Sequence, residues 1–208
     1  MKAVLISIQP KWCELIANGK KTVEVRKTVP KLEPPFKCYI YCTLSGSNEL
    51  FKDTLGGDVA AWNRGKWGLR KGNVIGEFIC DRIDYTTKDN IHAISDASCV
   101  SVPDLWEYGR KSSAYGLYGW HISNLQIYDE PKPLADFYKY GALSLEELDE
   151  DLCSHCAQTD YGDKRSFHTP NGVSMCEGRW CDDAYQAYLD EEFALTRPPQ
   201  SWCYVQEK

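Results

Sequence analysis

The 208-residue sequence predicts an α+β fold built on a mixed or antiparallel β-barrel. Three observations carry that expectation. Several short segments are apolar or alternate with period two, as strands do, whereas one clear helical segment comes early. The segments are separated by long connections. Strict alternation of strand and helix, which a doubly wound parallel sheet requires, is absent.

The elements follow in order. Residues 3–8, Ala-Val-Leu-Ile-Ser-Ile, read as a buried strand. Pro10 suits the first position of a helix over 10–18, with Trp12, Leu15 and Ile16 at helical spacing and Gly19 ending it. Residues 21–27 alternate, so Val23 and Val25 should face the core and Thr22, Glu24 and Arg26 the other side. Pro30, Pro34 and Pro35 interrupt, and 37–43 form another strand. A long glycine-containing connection spans 44–73; loops of that length are usually functional or carry short structure of their own. Residues 74–84 make a strong strand, a short helix is expected around 105–108, and 118–127 form a further strand before a break at 128–133. Ser144 and Glu147 form a capping box for a helix over 144–152, and 182–194 look helical. Residues 202–205 are the expected last strand.

Composition narrows the function. The net charge is −6, which argues against an indiscriminate DNA binder. The charge is uneven: residues 1–75 hold 13 Lys+Arg and 6 Asp+Glu, and the remainder 11 and 24. A phosphate-facing patch on the basic half is compatible with this, and so is internal pairing of the two halves. Seven Trp and thirteen Tyr supply faces that fill cores and also stack on bases. The apolar start breaks at Gln9-Pro10, too short for a membrane span and without a cleavage pattern, so a cytoplasmic protein with no membrane partner is expected. Its ten cysteines should then be thiols or metal ligands. Cys13, Cys38, Cys42, Cys80, Cys99 and Cys203 are scattered singly and read as buried packing.

The densest constellation is Gly19-Lys20-Lys21-Thr22-Val23-Glu24-Val25-Arg26. It places a carboxylate between two cations just after a helix end. Such a carboxylate stays ionised and fixed, and the cations can meet a phosphate or a carbonyl oxygen. The segment resembles the G-x-K-x-x-E-x-R signature of the ASCH family, on Gly19, Lys21, Glu24 and Arg26. The opening 3–10, Gly76-Glu77-Phe78, Gly119-Trp120-His121-Ile122 and the ending 197–205 are similar as well, the last to a bacterial and phage branch. The resemblance covers about 1–130 and the final ten or so residues.

The resemblance implies a PUA-like β-barrel with a cleft beside the first helix, binding RNA, a nucleotide or a modified nucleoside. Lys21, Glu24, Arg26 and Trp12 are the expected ligand-binding residues. It also implies an enzymatic alternative. Some relatives hydrolyse N4-acetylcytidine with a lysine, a threonine and a glutamate, and others are ribonucleases. Lys21 matches the lysine and Glu77 stands for the glutamate; the threonine position, two residues before Arg26, is Glu24. In that alternative Lys21, Glu24 and Glu77 are the candidate catalytic residues. Their plain structural reading is an ion network for Lys21, Glu24 and Arg26, and a solvated strand residue for Glu77. Trp62 and Trp67, with Arg64, Lys66, Arg70 and Lys71 nearby, are secondary candidates for nucleic-acid contact. His92 and His121 have no evident partner, and His121 reads as a structural residue.

Cys153-x2-Cys156 and Cys176-x4-Cys181 form two close pairs, as a tetrahedral structural Zn²⁺ site needs. The polar segment between them lacks a core of its own, and a metal would supply that stability. His155 or His168 are substitutes for one thiolate. The organisation expected is 1–134 as the barrel, 135–195 as a cysteine-rich insertion, and 196–208 as a terminal strand returning to the barrel.

Overall fold

The structure, a computed structural model, describes residues 2–44, 71–110, 116–141, 166–168, 174–176, 179–180, 189–190 and 193–207. The chain divides into two compact units. The larger comprises Lys2–Leu134 and Arg197–Tyr204, and the smaller Met1, Ala135–Thr196 and Val205–Lys208.

The larger unit is α+β. Strand β1 (Ala3–Ile8) leads into helix α1 (Pro10–Ala17), which has Pro10 in its first turn. Gly19 adopts φ +68° just past the helix end, and the N–H groups of Gly19 and Lys20 return to Ile16 and Leu15. Only glycine enters that conformation without strain, so the turn aims Lys21 and the next strand back along the sheet. Strands β2 (Val23–Arg26), β3 (Phe36–Cys42) and β4 (Asn73–Tyr85) follow, then helices α2 (Ile91–Ser98) and α3 (Val102–Arg110) and strand β5 (Tyr118–Pro133). The sheet order is β2-β5-β4-β3-β1-β10, where β10 is Trp202–Glu207. β1 and β3 are parallel, while β3–β4, β4–β5 and β2–β5 are antiparallel, so the sheet is mixed.

The sheet is not closed into a barrel. Among the described residues β2 shares a backbone ladder with β5 alone, and none joins its other edge to β1 or β10. Side chains span that seam instead. Arg26 Nη2 donates to the Ser7 carbonyl at 2.6 Å, Trp202 Nε1 to Thr28 Oγ1 at 3.0 Å, and the Lys31 N–H to the Tyr204 hydroxyl. A four-residue strand occupied on one edge and carrying a long guanidinium toward the other leaves room for side chains where a ladder would run.

Three further expectations change. The region 128–133 is not a break: β5 runs through it, with Lys132 opposite Val74 and Pro133 opposite Asn73. β2 pairs only with Tyr118–His121, so farther along β5 has one flank outside the β2 ladder, where proline can sit without breaking a bond. Helix α2 was not expected at all. Both faces of β2 are buried. Val23 and Val25 join Ile91, Ile94, Leu105 and Leu117, while the main core gathers Val4, Ile6, Ile8, Ile16, Phe36, Ile40, Phe78 and Trp120. Cys13, Cys38, Cys42 and Cys80 are buried there as expected, but Cys99 is exposed and Cys203 half-buried.

Gly76 is fixed by close approach. A Cβ there would lie 2.4 Å from the Gln126 carbonyl oxygen and 3.0 Å from Ile127 Cδ1. The first contact is backbone and can yield only by opening the β4–β5 ladder. Gly76→Ala should therefore cost about 1–3 kcal/mol, read as a lower urea midpoint at unchanged slope; an unaltered midpoint would show that the ladder is slack.

In the smaller unit, β6 (Phe137–Lys139) pairs antiparallel with Val205–Glu207. Strands β7 (Ser166–His168), β8 (Ser174–Cys176) and β9 (Arg179–Trp180) form a three-stranded antiparallel sheet. The expected helix over 144–152 lies outside the described residues, as does most of the one over 182–194. Among the described residues, no helix is long and apolar enough to cross a membrane.

Candidate ligand-binding cavity

The turn after α1 and the short β2 bring Lys21, Glu24 and Arg26 together. All three are nine-tenths or more buried. Lys21 Nζ lies 3.2 Å from Glu24 Oε2, and Arg26 Nη2 lies 3.0 Å from Glu24 Oε1. Lys21 also donates to the Ser98 carbonyl at 2.8 Å, at the end of α2. There the ammonium meets carbonyls that a helix leaves unpaired. Thr22 N–H reaches the neighbouring Ala97 carbonyl at 2.8 Å, which seats the start of β2 on the same helix end. Arg26 is held by the Ser7 carbonyl and by Ser201 Oγ at 3.4 Å, while its buried Nε has no acceptor among the described residues.

The ion network forms one wall of a cavity of about 770 Å³. Ser7, Ile8 and Gln9 contribute from β1 and its end, Trp12 from α1, Tyr41 and Thr43 from β3 and its end, Leu105 and Tyr108 from α3, and Pro198–Gln200 from the returning chain. The space lies along the seam that the sheet leaves open. Trp12 carries two cations over its ring, Lys11 Nζ at 4.3 Å and Lys21 Nζ at 5.2 Å. Lys27 Nζ lies 4.6 Å from the centre of the Tyr108 ring. Partial burial pushes the Tyr108 hydroxyl above its ordinary range; the Arg26 charge opposes this and the Glu24 charge adds to it.

Glu77 is elsewhere. It pairs with Lys37 Nζ at 2.9 Å, accepts from the Tyr128 hydroxyl at 2.5 Å, and is not among the residues lining the cavity. Burial alone would raise its pKa, but the Tyr128 and Lys37 hydrogen bonds outweigh this and hold the carboxyl below the usual range. The cavity therefore unites Lys21, Glu24, Arg26 and Trp12 without Glu77. Sequence reasoning did not place Ser98, Tyr41, Tyr108 or residues 198–200 at the site. None carries a local signal, and all reach the site only through the fold. His121 is tied by Nε2 to Asp84 Oδ2 at 2.8 Å, and Arg82 Nη2 stands 3.1 Å from the same nitrogen.

The secondary candidates Trp62, Arg64, Lys66, Trp67 and Arg70 lie outside the described residues. So do Cys153, His155, Cys156 and Cys181, and the side chains of Cys176 and His168. Among the described residues no group of three or more His, Cys, Asp or Glu is placed to hold a metal.

No family model matches the chain, and no curated protein matches its sequence. Solved structures do. The chain is similar to the ASCH protein of Zymomonas mobilis, with 15% identity over 92% of this chain and 95% of that one, at a TM-score of 0.44. Two single-residue variants of that protein align with TM-scores of 0.42, at 15% and 16% identity, over 93% and 92% of this chain and 99% and 96% of theirs.

Proposed function

We propose that this chain is an ASCH-type protein that binds RNA or a nucleotide in the cavity beside α1 and β2. The observation that carries the reading is the buried Lys21–Glu24–Arg26 network forming the wall of a cavity with Trp12, Tyr41 and Tyr108 around it. Nucleotide sites combine such aromatic faces with fixed polar groups. Lys11 and Lys27, placed over Trp12 and Tyr108, bring positive charge to the same aromatics from less buried positions. The G-x-K-x-x-E-x-R resemblance points the same way. The second reading is catalysis. A hydrolase using Lys21 and Glu77 together finds no support, since Glu77 is bound to Lys37 and Tyr128 instead.

The test is retention of a short single-stranded RNA across a salt series, with N4-acetylcytidine incubated in parallel and analysed by mass spectrometry. Binding should weaken steeply with salt. The double substitution Lys11→Ala with Lys27→Ala should reduce the log–log slope by about 1 to 2. Salt-independent binding, or none, overturns the proposal; acetate release would make the protein an amidohydrolase.

The cysteine spacing supports a separate proposal, a structural Zn²⁺ on Cys153, Cys156, Cys176 and Cys181. Metal analysis of protein purified without added metal should then find zinc at one equivalent per chain, lost together with the fold of the segment in Cys153→Ser. Absence of zinc, with all four thiols free to react, would refute it.

A further inference from the structure

We propose that the cavity selects a guanine base, read by the Glu24 carboxylate. The inference rests on the nucleotide-binding reading above and adds the identity of the base. A carboxylate has about four lone-pair sites. Glu24 uses one on each oxygen, Oε2 toward Lys21 and Oε1 toward Arg26. Among the described residues each oxygen keeps a further site, and the residue lines the cavity. The two cations hold the group in one orientation, so it acts as a fixed pair of acceptors. Its complement is a ligand edge with two adjacent donors.

Charge then decides which such edge. The buried trio sums to one net positive charge. Asp104 at the rim is exposed and already accepts from Ser101 Oγ at 2.6 Å. A cationic donor pair, such as an arginine side chain or protonated cytosine, would meet the surplus positive charge of Lys21 and Arg26. A neutral edge does not. Among the standard bases only guanine offers two adjacent neutral donors, N1–H and the 2-amino group. Adenine sets one donor beside one acceptor, cytosine one donor beside two acceptors, and uracil a single donor between two acceptors. A cavity of about 770 Å³ holds one nucleoside with room to spare.

The experiment compares GMP, IMP, AMP and CMP binding to the unmodified protein by calorimetry, beside a short single-stranded RNA. IMP has N1–H but no 2-amino group, so it isolates one of the two bonds. GMP should bind about 10-fold or more tighter than IMP, and at least as far above AMP and CMP. Glu24→Gln, which exchanges one acceptor for a donor, should erase that preference. The nucleotide series needs no variant and stands even if Glu24→Gln fails to fold. RNA bound in a salt-dependent way with GMP no tighter than IMP would overturn the guanine inference and leave the binding module intact. Failure of RNA and every nucleotide to bind would overturn both.

Discussion

Glu24→Ala should lower folding stability by about 3–5 kcal/mol, the usual cost of breaking a buried ion pair from one side. The substitution leaves Lys21 and Arg26, both nine-tenths or more buried, as like charges with no carboxylate between them. Among the described residues Lys21 then keeps the Ser98 carbonyl and the Trp12 ring, and Arg26 the Ser7 carbonyl and the long contact to Ser201. Both cations line the cavity, so water there offsets part of the loss, but the two like charges stay side by side on β2 and the turn before it. The effect should appear as a fall of roughly 10 °C in Tm and a lower urea midpoint at unchanged slope. Glu24→Gln keeps the shape and one acceptor and should cost less. A loss below about 1 kcal/mol for the alanine would place the trio in the class of solvated ion pairs and remove the basis for treating it as a rigid recognition wall.

Trp120→Ala is expected to be comparably severe, about 3–5 kcal/mol. Trp120 is fully buried opposite Glu24 in the β2–β5 ladder. Its ring meets Phe36 edge-on at 5.8 Å between centres and Trp202 at 6.2 Å. Removing it opens a void between the core and the aromatics that bridge the seam, and Trp202, on which Tyr204 packs edge-on, loses the ring it rests against. The contrasting variant is Trp120→Phe. The indole N–H is buried without an acceptor among the described residues, so phenylalanine forfeits no hydrogen bond and trims only part of the volume. Denaturation should rank alanine far below phenylalanine. Equal losses would mean that the indole nitrogen has a partner whose removal matters more than the packing.

What was legible in the sequence was local. Pro10 and Gly19 mark the two ends of α1 by their own backbone chemistry, and the apolar runs of β1, β3 and β4 stand out without neighbours. The Lys21–Glu24–Arg26 constellation was readable because three site residues fall within six positions. Helix α2 was missed because its ends carry little signal. Asn90 makes no side-chain capping bond to the helix, and neither an acidic first turn nor a basic last turn marks it. The length of β5 was missed because Pro131 and Pro133 argue against a strand until it is known that β2 covers only the other end. The open seam was beyond any local pattern. It depends on Arg26 meeting residues 7 and 201, contacts separated by 19 and 175 positions. Tyr108 and Ser98 join the site for the same non-local reason.

The cysteines of the main core make the larger unit its own stopwatch. Burial pushes the Cys13 and Cys38 thiols well above their ordinary range and Cys80 up to about 12, while Cys42 is lowered by the hydrogen bond from Cys13 and, against its own burial, by the charge of Lys71. A thiol-alkylating reagent reaches these sulfurs only when the packing around them opens, whereas exposed Cys99 is open to it from the first instant. Labelling of Cys38 and Cys80 therefore times the separation of β3 from β4, and labelling of Cys13 and Cys42 times the lifting of α1 from the strand ends beside the cavity. If a ligand clamps that seam, the second clock should slow while the first keeps its pace, reporting occupancy of the cavity without a label on the ligand.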